Sequence, residues 1–503
     1  MLEISQIRLP YGSGTDGIAR QIRKILRLKD GKDLPFRIRK HSIDARRHPD
    51  ILDVYTVNVD LCDENLERKI ADKNRTRNVR FVKPAVYSFP AGCGAYMGKR
   101  PRPVVVGFGP AGIFAALALS SAGLRPIVLE RGEAMEDRIR SVQGFWEGGG
   151  LNTRSNVQFG EGGAGTFSDG KLTTGVRDPS GRNAFVLDTF IEAGAPPEIA
   201  FEQYPHIGTD RLRSVVVNLR ERLISGGGEI RFLSEMTDIE TDASGITGVR
   251  VACGPGRENC FLETDTVILA CGHSARDTFR MLKDRGIVMT EKSFAVGFRV
   301  THPQEMIDER HYGRALKEGS GIKFPASSYK LTHQASSGRG VYSFCMCPGG
   351  YIVNASSEEG RLAVNGMSDY GRDSGRANSA IVLTVGPETF GDGGVFQGLR
   401  FQEELEAKAY SAGAGKIPVE SYEGFEESVL CGRPAESSPI DEHERERLCI
   451  KGAAAYAPLH GLFPADMNRD FIEAMREFDA RYPGFAGRDA YLAGVESRTS
   501  SPE

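Results

Sequence analysis

A glycine-rich turn between two apolar segments constrains the fold more than any other feature of this 503-residue chain. The run Val104–Val106 is β-branched and predicts a short buried strand. It leads into the turn Gly107-Phe-Gly-Pro-Ala-Gly112, and the small apolar residues that follow predict a helix. Glycines at these spacings permit a tight turn, the approach of a pyrophosphate and close helix–strand packing. The segment therefore predicts a Rossmann-like α/β unit that binds a dinucleotide.

The second strand of this unit supplies a further signal. Residues 125–130 predict a strand that ends at Glu130, an acid placed 18 residues after Gly112. A carboxylate at this place can accept hydrogen bonds from a ribose diol, and an ordinary glycine turn would not account for it. The dinucleotide contacts predicted in this unit are Gly107, Gly109, Pro110, Ala111, Gly112, Glu130 and Arg131.

A later apolar run bears on which dinucleotide binds. Residues 264–272 end in Ala270-Cys-Gly272, and a strand of this type lies beneath the FAD in two-dinucleotide-binding flavoproteins. Ala270 and Gly272 therefore join the predicted cofactor contacts. No second strand–GxGxxG–helix unit occurs in the sequence. FAD is the predicted cofactor, and either a nicotinamide, NADH or NADPH, binds transiently or the electrons come from elsewhere.

The densest glycine segment of the chain is FGEGGAGTFSDGK at 159–171. Successive small residues can turn their N–H groups toward one anionic acceptor. Such dipoles, or the ammonium group of Lys171, would stabilise the negative charge that a reduced flavin gains. A flexible surface loop is the alternative interpretation. The flavin contacts predicted here are Gly160, Gly162, Gly163, Ala164, Gly165, Thr166, Ser168 and Lys171.

Three residues are candidates for the chemical step. Lys171 is one, and Cys345 and Cys347 in FCMCPGG are the others, because a thiol beside a flavin could act as a nucleophile or an acid. Buried, inert cysteine is an equally good interpretation of the pair. The nine cysteines form no CxxC motif, so no metal site is predicted, and reduced thiols favour the cytoplasm.

Charge is distributed unevenly, although the formal net charge is only −3. Residues 1–102 contain 22 Lys and Arg against 12 Asp and Glu, whereas the remaining residues contain 42 against 55. Residues 1–97 also show a βαββαβ order, which predicts a small ferredoxin-like α+β domain. This basic domain could dock on an acidic domain of its own chain, an acidic electron carrier or RNA. For stacking on RNA bases, only Phe36, Tyr55 and Phe81 are available on its strands, and RNA is the least favoured partner.

The uncharged stretch Pro103–Leu124 is long enough to cross a bilayer. Its glycines and proline interrupt it after the first short run, so a strand followed by a helix is the favoured interpretation. The first 12 residues have no basic segment followed by an apolar one, so no secretory signal is predicted. No membrane association is expected.

Taken together, these segments resemble a bacterial family of uncharacterised FAD-dependent dehydrogenases, distant relatives of the glutathione-reductase-type flavoproteins. The resemblance covers nearly the whole chain. Beyond the first turn and Glu130-Arg-Gly132, it rests on FGEGGAGTFSDGKL at 159–172, PHIGTD at 205–210, ILACGHSARD at 268–277, FAVGFRVTHPQ at 294–304, FCMCPGGYIVNAS at 344–356 and GVESRTSSP at 494–502. The resemblance implies non-covalent FAD and a redox function, and it implies no particular substrate.

The resemblance also sets expectations for organisation. It places an FAD-binding domain at 98–290, an inserted α+β substrate domain at 291–480 and a return to the FAD-binding domain at 481–503. In the family, a further strand and glycine-rich turn follow the last segment, so the chain is expected to be a truncated member. The stretch 430–450 departs from the family and predicts a polar loop.

Two functions are therefore carried forward. The first is an FAD-dependent oxidoreductase, a dehydrogenase, acting on an unknown small-molecule substrate. The second is a flavin-binding, RNA-binding or partner-binding protein with little or no catalysis.

Overall fold

The structure is a computed structural model. It describes residues 1–28, 34–47, 49–74, 77–89, 100–175, 178–313, 323–432 and 437–498. The chain forms two compact units. The N-terminal unit comprises Met1–Ser88, Lys171–Ile207 and Asp308–Ser327, and the main unit comprises Phe89–Gly170, Gly208–Ile307 and Ser328–Glu503. The sequence-based boundaries at 97, 290 and 480 remain predictions.

The strands of the described residues are short, and most of them are separated by turns or helices. They are β1 Leu2–Pro10, β2 Phe36–Asp44, β3 Leu52–Val59, β4 Val79–Phe81, β5 Val104–Val106, β6 Ile127–Leu129, β7 Glu229–Arg231, β8 Ser234–Asp242, β9 Gly245–Cys253, β10 Glu258–Glu263, β11 Val267–Leu269, β12 Phe294–Pro303, β13 Thr332–Gln334, β14 Gly340–Cys347, β15 Tyr351–Asn354, β16 Val364–Met367, β17 Arg376–Val385, β18 Ile417–Ser421, β19 Ser438–Pro439, β20 Ile450–Lys451, β21 Ala454–Tyr456 and β22 Tyr491–Glu496.

The helices lie between these strands. They are α1 Gly14–Leu26, α2 Glu64–Lys73, α3 Pro110–Ser121, α4 Met135–Trp146, α5 Arg182–Glu192, α6 Thr209–Ser225, α7 Arg276–Asp284, α8 Gln304–Tyr312, α9 Pro387–Phe390, α10 Gln397–Ala412, α11 Tyr422–Cys431, α12 Glu442–Arg447 and α13 Ala465–Arg481.

The N-terminal unit contains an antiparallel sheet in the order β2-β3-β1-β4. Together with the βαββαβ chain order, this is the topology of a ferredoxin-like sandwich. Helix α1 places Ile18, Ile22 and Leu26 on one side, as expected of an amphipathic helix, and these pack with strand residues into one core. Helix α2 begins at Asp63, whose carboxylate accepts the Leu66 N–H at 3.0 Å.

A parallel sheet in the order β11-β5-β6-β7 forms the first layer of the main unit. Strands β5 and β6 are fully buried, as strands covered on both faces must be. The order is that of a doubly wound nucleotide-binding fold, with the first strand at the centre. The predicted strand–turn–helix unit is confirmed, and the later apolar run forms strand β11, which pairs with β5.

The largest sheet has the order β13-β14-β17-β12-β22-β18-β21-β19. Strands β12 and β14 belong to this sheet, whereas β15 lies in a separate sheet with the order β16-β15-β20. Aromatic side chains form the centre of the core of the largest sheet, where the ring of Phe298 meets those of Phe425, Phe463 and Phe471 at centroid distances of 4.7–5.5 Å. This packing accounts for the burial of β12 and β17 along nearly their whole length.

The prediction of a polar loop at 430–450 is corrected by the structure. Residues 433–436 of this stretch lie outside the described part of the chain. A short helix, α12, forms because the Asp441 carboxylate caps it by accepting the Glu444 N–H at 2.8 Å. Leu448 and Ile450 directly after it are buried. The charged residues of this stretch thus lie on the exposed surface of a capped helix. A count of acidic residues does not distinguish such a helix from a loop.

Within the described residues, no helix is both long enough and apolar enough to cross a membrane. The uncharged stretch after Pro103 is divided, as predicted, between strand β5 and the 12-residue helix α3.

Glu420 on β18 is a buried acid whose ionisation opposes folding. It is 5% exposed, accepts the Leu459 N–H at 2.8 Å, and lies 3.5 Å from the Ser428 hydroxyl. Burial raises the pKa of Glu420 to about 7. Between the ordinary pKa of an unfolded glutamate and this value, the native chain keeps a proton that the unfolded chain releases. The free energy of unfolding therefore falls as the pH rises through that window.

We expect Glu420→Gln to remove this fall, because the amide stays neutral at every pH. The variant should be more stable than the parent at pH 8, by at most about 3 kcal/mol, and nearly equal to it at pH 4.5. Urea unfolding at pH 8 and at pH 4.5 measures the difference in stability. The control is Glu404→Gln, at an exposed position. A variant less stable than the parent at pH 8 would contradict the assignment.

Candidate cofactor site

Two glycines of the first turn are required by the fold itself. Gly107 has φ +99, and a Cβ atom there would lie 2.4 Å from the Ala270 carbonyl oxygen. A Cβ atom on Gly112 would lie 1.9 Å from the Gly107 carbonyl oxygen. The Ala270 N–H donates to the Val106 carbonyl at 2.8 Å, which fixes the end of β11 beside the turn. Ala270 is therefore a neighbour of the turn, and its predicted contact with the cofactor remains a prediction.

Gly109 differs from these two, because nothing in the protein demands a glycine there. Its φ is −81, and an added Cβ atom would meet only the Gly163 Cα, at an ordinary contact distance of 3.7 Å. Helix α3 begins immediately afterwards with Pro110, so the first amides at its N-terminus are those of Ala111 and Gly112. Bare backbone beside a helix N-terminus is what a phosphate group requires.

Glu130 connects three segments through backbone hydrogen bonds. Its Oε2 accepts the Phe108 N–H at 2.9 Å, and its Oε1 accepts the N–H groups of Gly132 at 2.9 Å and Gly160 at 3.0 Å. The side chain is buried, with the residue 4% exposed. Glu130 thus holds the turn, the end of β6 and the glycine loop in one arrangement. Its predicted contact with a ribose remains a prediction.

The glycine loop lies directly against the first turn. The Gly162 N–H donates to the Phe108 carbonyl at 2.9 Å, and residues Gly163–Phe167 then form a 3₁₀ turn. Gly163 has φ +63, and a Cβ atom on it would lie 3.0 Å from the Gly109 Cα. The two glycine segments that the sequence singled out are thus brought together, and Gly165 at the centre of the 3₁₀ turn has open space beside it.

The hydroxyl groups of the loop contribute to its own structure. The Thr166 hydroxyl donates to the Glu161 carbonyl at 3.1 Å, and the Ser168 hydroxyl donates to the Gly165 carbonyl at 2.8 Å. Arg131 is similarly engaged, because it donates to Asp277 and Thr278 and its guanidinium lies 4.4 Å from the centre of the Phe159 ring. Their predicted contacts with the cofactor remain predictions, as does that of Gly272.

Arg138 holds the loop by binding backbone carbonyls within and just before it, a role that no sequence pattern indicates. It is fully buried and donates to the carbonyls of Asn156, Val157 and Glu161. Burial lowers the pKa of Arg138 to about 10, against the opposing effect of nearby carboxylates. A Cβ atom on Gly160 would lie 2.4 Å from its Cδ, so this glycine is needed to make room for the arginine.

Glu161 is a second buried acid of the loop that sequence reasoning missed. One oxygen accepts the Met135 N–H at 2.7 Å and pairs with Arg220 at 2.8 Å. The other oxygen is buried and has no hydrogen-bond donor among the described residues. Burial raises the pKa of Glu161 above its usual range.

Lys171 follows the loop but belongs to the N-terminal unit, where its backbone pairs with that of His206. The neighbouring Asp169 is in the main unit, where its carboxylate pairs with Arg372 at 2.8 Å and accepts a hydrogen bond from Ser368. The role predicted for Lys171 remains a prediction.

The two candidate thiols differ in accessibility. A bulge interrupts the pairing of β14 with β17 between Phe344 and Cys347, and Cys345 has φ +46. Cys347 is fully buried, with its Sγ 3.3 Å from the Cys345 carbonyl oxygen, whereas Cys345 is half-buried. The Cys345 carbonyl also accepts a hydrogen bond from Arg299, which is itself paired with Glu496.

Beyond the end of β11, a buried carboxylate binds two arginines. Glu406 on α10 is 0% exposed and accepts two hydrogen bonds each from Arg276 and Arg498, at 2.9–3.0 Å. The Ser497 hydroxyl also donates to it, and Arg498 reaches Ser274. These contacts tie α7, α10 and the segment after β22 together, and both arginines hold the pKa of Glu406 far below its usual range against the effect of burial.

Comparisons with known proteins identify the cofactor. The family described as "FAD-dependent protein, C-terminal domain-like" matches residues 293–499, and a domain of unknown function, DUF8436, matches residues 1–60. A protein of Clostridium beijerinckii described as uncharacterized is 40% identical over 515 residues, which cover 100% of this chain and 90% of that protein. The chain belongs to a family of FAD-dependent proteins. Its cofactor is FAD.

Similarity to solved structures is lower. A glycerol-3-phosphate dehydrogenase from Bacillus halodurans complexed with FAD is 12% identical, over 58% of this chain and 49% of that chain, with a TM-score of 0.29. A geranylgeranyl bacteriochlorophyll reductase-like protein from Thermoplasma acidophilum is 12% identical, over 56% of each chain, with a TM-score of 0.28. The chain spans about half the length of these two structures.

The residues of the turn and loop fit FAD. Gly109 and Gly165 leave bare backbone where the fold itself would tolerate a side chain, and the amides of Ala111 and Gly112 begin helix α3 beside them. A pyrophosphate needs both features, namely close approach to the backbone and N–H groups at a helix N-terminus.

We expect Gly109→Val to weaken FAD binding at least tenfold, which corresponds to about 1.4 kcal/mol, because its side chain would occupy the pyrophosphate position. The fold should survive, since the protein leaves space there. Flavin content per chain and the dissociation constant after reconstitution measure the loss. The control is Gly144→Ala in α4, which also has open space beside it. Full retention of FAD by the Gly109 variant would contradict the site.

We expect Glu406→Ala to lower the free energy of unfolding by about 3–5 kcal/mol, because buried Arg498 would lose its counter-charge and buried Arg276 would keep only its pair with Glu358. Chemical denaturation measures this change. The exposed Glu404→Ala on the same helix should cost little. If Glu406→Ala lowers the free energy of unfolding only slightly, the two arginines are hydrated in the variant and do not depend on this carboxylate.

Proposed function

We propose that the chain is an FAD-dependent oxidoreductase that transfers hydride or electrons between a small-molecule substrate and a non-covalently bound flavin. The observation that carries this proposal is Gly109, a glycine which the fold does not require, held against the loop glycine Gly163 at a helix N-terminus. Membership of an FAD-dependent family supports it.

Each part of the site has a separate task in this proposal. The first amides of α3 bind and orient the pyrophosphate, while the bare backbone at Gly109 and Gly165 admits it. Glu130 keeps the loop closed on the turn through its three backbone hydrogen bonds. When bound, FAD supplies the reversible acceptance of two electrons, and the protein supplies orientation and electrostatic stabilisation.

Three side chains are proposed for the chemical step. The ammonium of Lys171 would stabilise negative charge on the reduced flavin. Of the two thiols, Cys345 is the stronger candidate to meet a substrate, because Cys347 is fully buried. We further propose a nicotinamide, NADH or NADPH, or an acidic carrier protein as the electron source. The cytoplasm is the proposed location, because nine widely spread cysteines without a CxxC motif favour reduced thiols.

The experiment that tests the function is an absorbance spectrum of the purified protein, followed by anaerobic titration with NADH, NADPH and dithionite. We expect a yellow protein whose flavin bands bleach on reduction and return with air. Protein that stays colourless after incubation with FAD would overturn the proposal. A flavin that binds but cannot be reduced by dithionite would favour the alternative, a flavin-binding protein with little catalysis.

The thiol assignment is tested separately by Cys345→Ser. We expect at least a tenfold lower rate of substrate-dependent flavin reduction with unchanged flavin content, because the hydroxyl of serine is a far weaker nucleophile and acid than a thiol. Cys431→Ser, at an exposed thiol, is the matched control. Equal rates in both variants would make Cys345 a packing residue.

A further inference from the structure

One face of the N-terminal sheet is free of the two helices that follow its strands. Strand register places Leu2 opposite Val59 and Ile4 opposite Val57, and all four pack with α1 and α2 in the core. The alternate residues point to the other side of the sheet. We call this side the outer face; its charged residues are Glu3, Arg8, Arg37, Lys40, Asp44 and Arg80, and we include Arg39, the exposed residue of the β-bulge next to Lys40.

The outer face carries uncompensated positive charge. Its two acids are neutralised, because Glu3 pairs with Arg80 at 2.6 Å and Asp44 pairs with Arg46 at 2.7 Å. Arg37 pairs with Asp188 at 3.1 Å, with both side chains about half exposed or more. The remaining three cations, Arg8, Arg39 and Lys40, are exposed and have no ion pair in the described part of the chain.

The structure also decides what kind of polyanion this face suits. The three strand aromatics, Phe36, Tyr55 and Phe81, all pack against the helix-covered core. Arg68 of α2 lies 4.2 Å from the centre of the Phe81 ring, on that same inner side. The outer-face strand residues with described register include no aromatic side chain. Single-stranded RNA binds sheets of this type by stacking its bases on aromatic side chains. The outer-face residues with described register offer no such side chain for stacking.

We propose that the outer face is a docking surface for an acidic protein. A sheet sets the backbone positions of its charged residues in a flat array, which suits complementary carboxylates on a folded partner and accelerates its association. The proposal stands independently of the flavin chemistry. If the chain is an oxidoreductase as proposed, an acidic electron carrier is the partner class that would use this surface.

The test uses the full-length holoprotein and two fluorescent probes, poly-L-glutamate and single-stranded poly-U RNA. The outer-face variant is R8E/R39E/K40E, and the matched control is R20E/K24E/K69E, which makes the same charge change on exposed positions of α1 and α2. A third variant, R8Q/R39Q/K40Q, removes the charges without reversing them. Flavin content and thermal melting confirm that each variant is folded.

We expect poly-L-glutamate to bind the parent with an affinity that falls strongly as salt is added. Its affinity for either outer-face variant should be at least tenfold lower than for the parent, and its affinity for the control should be within threefold of the parent. Equal losses in the outer-face and control variants would mean diffuse attraction and would overturn the proposal. Tighter binding of poly-U, with the same residues responsible, would overturn it in favour of RNA. If the flavin could not be reduced, the poly-L-glutamate affinities would stay the same. The oxidoreductase proposal and the docking-surface proposal can therefore fail independently of each other.

Discussion

The architecture of the cofactor site depends on one carboxylate. The Glu130 carboxylate accepts hydrogen bonds from the N–H of Phe108 in the first glycine turn, from that of Gly132 and from that of Gly160 in the glycine loop. A buried carboxylate is stable only when its oxygens accept hydrogen bonds, so the three segments and the acid require one another. Arg138 and Glu161 extend the same arrangement, since Arg138 donates to the backbone carbonyl of Glu161 in the loop and the Glu161 carboxylate accepts the Met135 N–H at the start of α4. A loop with so many glycines is thereby held in one conformation before any ligand arrives.

Buried ion pairs perform a similar task in the rest of the main unit. Arg299 on β12 pairs with Glu496 on β22, and Glu406 on α10 pairs with Arg276 and Arg498. Such pairs contribute little net stability compared with apolar packing, but the loss of one partner is costly. They therefore fix the register of the final strand against β12 and the position of α10 against α7. The surrounding aromatic core supplies the stability that these charges do not.

The sequence predicted those parts of the structure that have local patterns. The strand–turn–helix at Val104 and the βαββαβ order follow from periodicity and glycine spacing, whereas the strand before Ala270 was predicted from its likeness to a strand of known flavoproteins. Arg138 and Glu406 were missed because an isolated charge in a helix has no local pattern that distinguishes a buried site from a solvated one. Their partners become neighbours only through the fold; Glu406 and Arg276 are 130 residues apart. Short α12 was missed because its cap is a single side chain.

The position of β22 has a consequence for synthesis on the ribosome. This strand lies inside the largest sheet, between β12 and β18, and Arg498 follows directly after it. Until these residues leave the exit tunnel, β12 and β18 have exposed edges and Glu406 lacks one of its two arginines. The main core therefore cannot close until residues as late as Arg498 have emerged, which prolongs the interval in which its apolar strands are exposed. The N-terminal sheet, made from the first 81 residues, can pair its strands long before then.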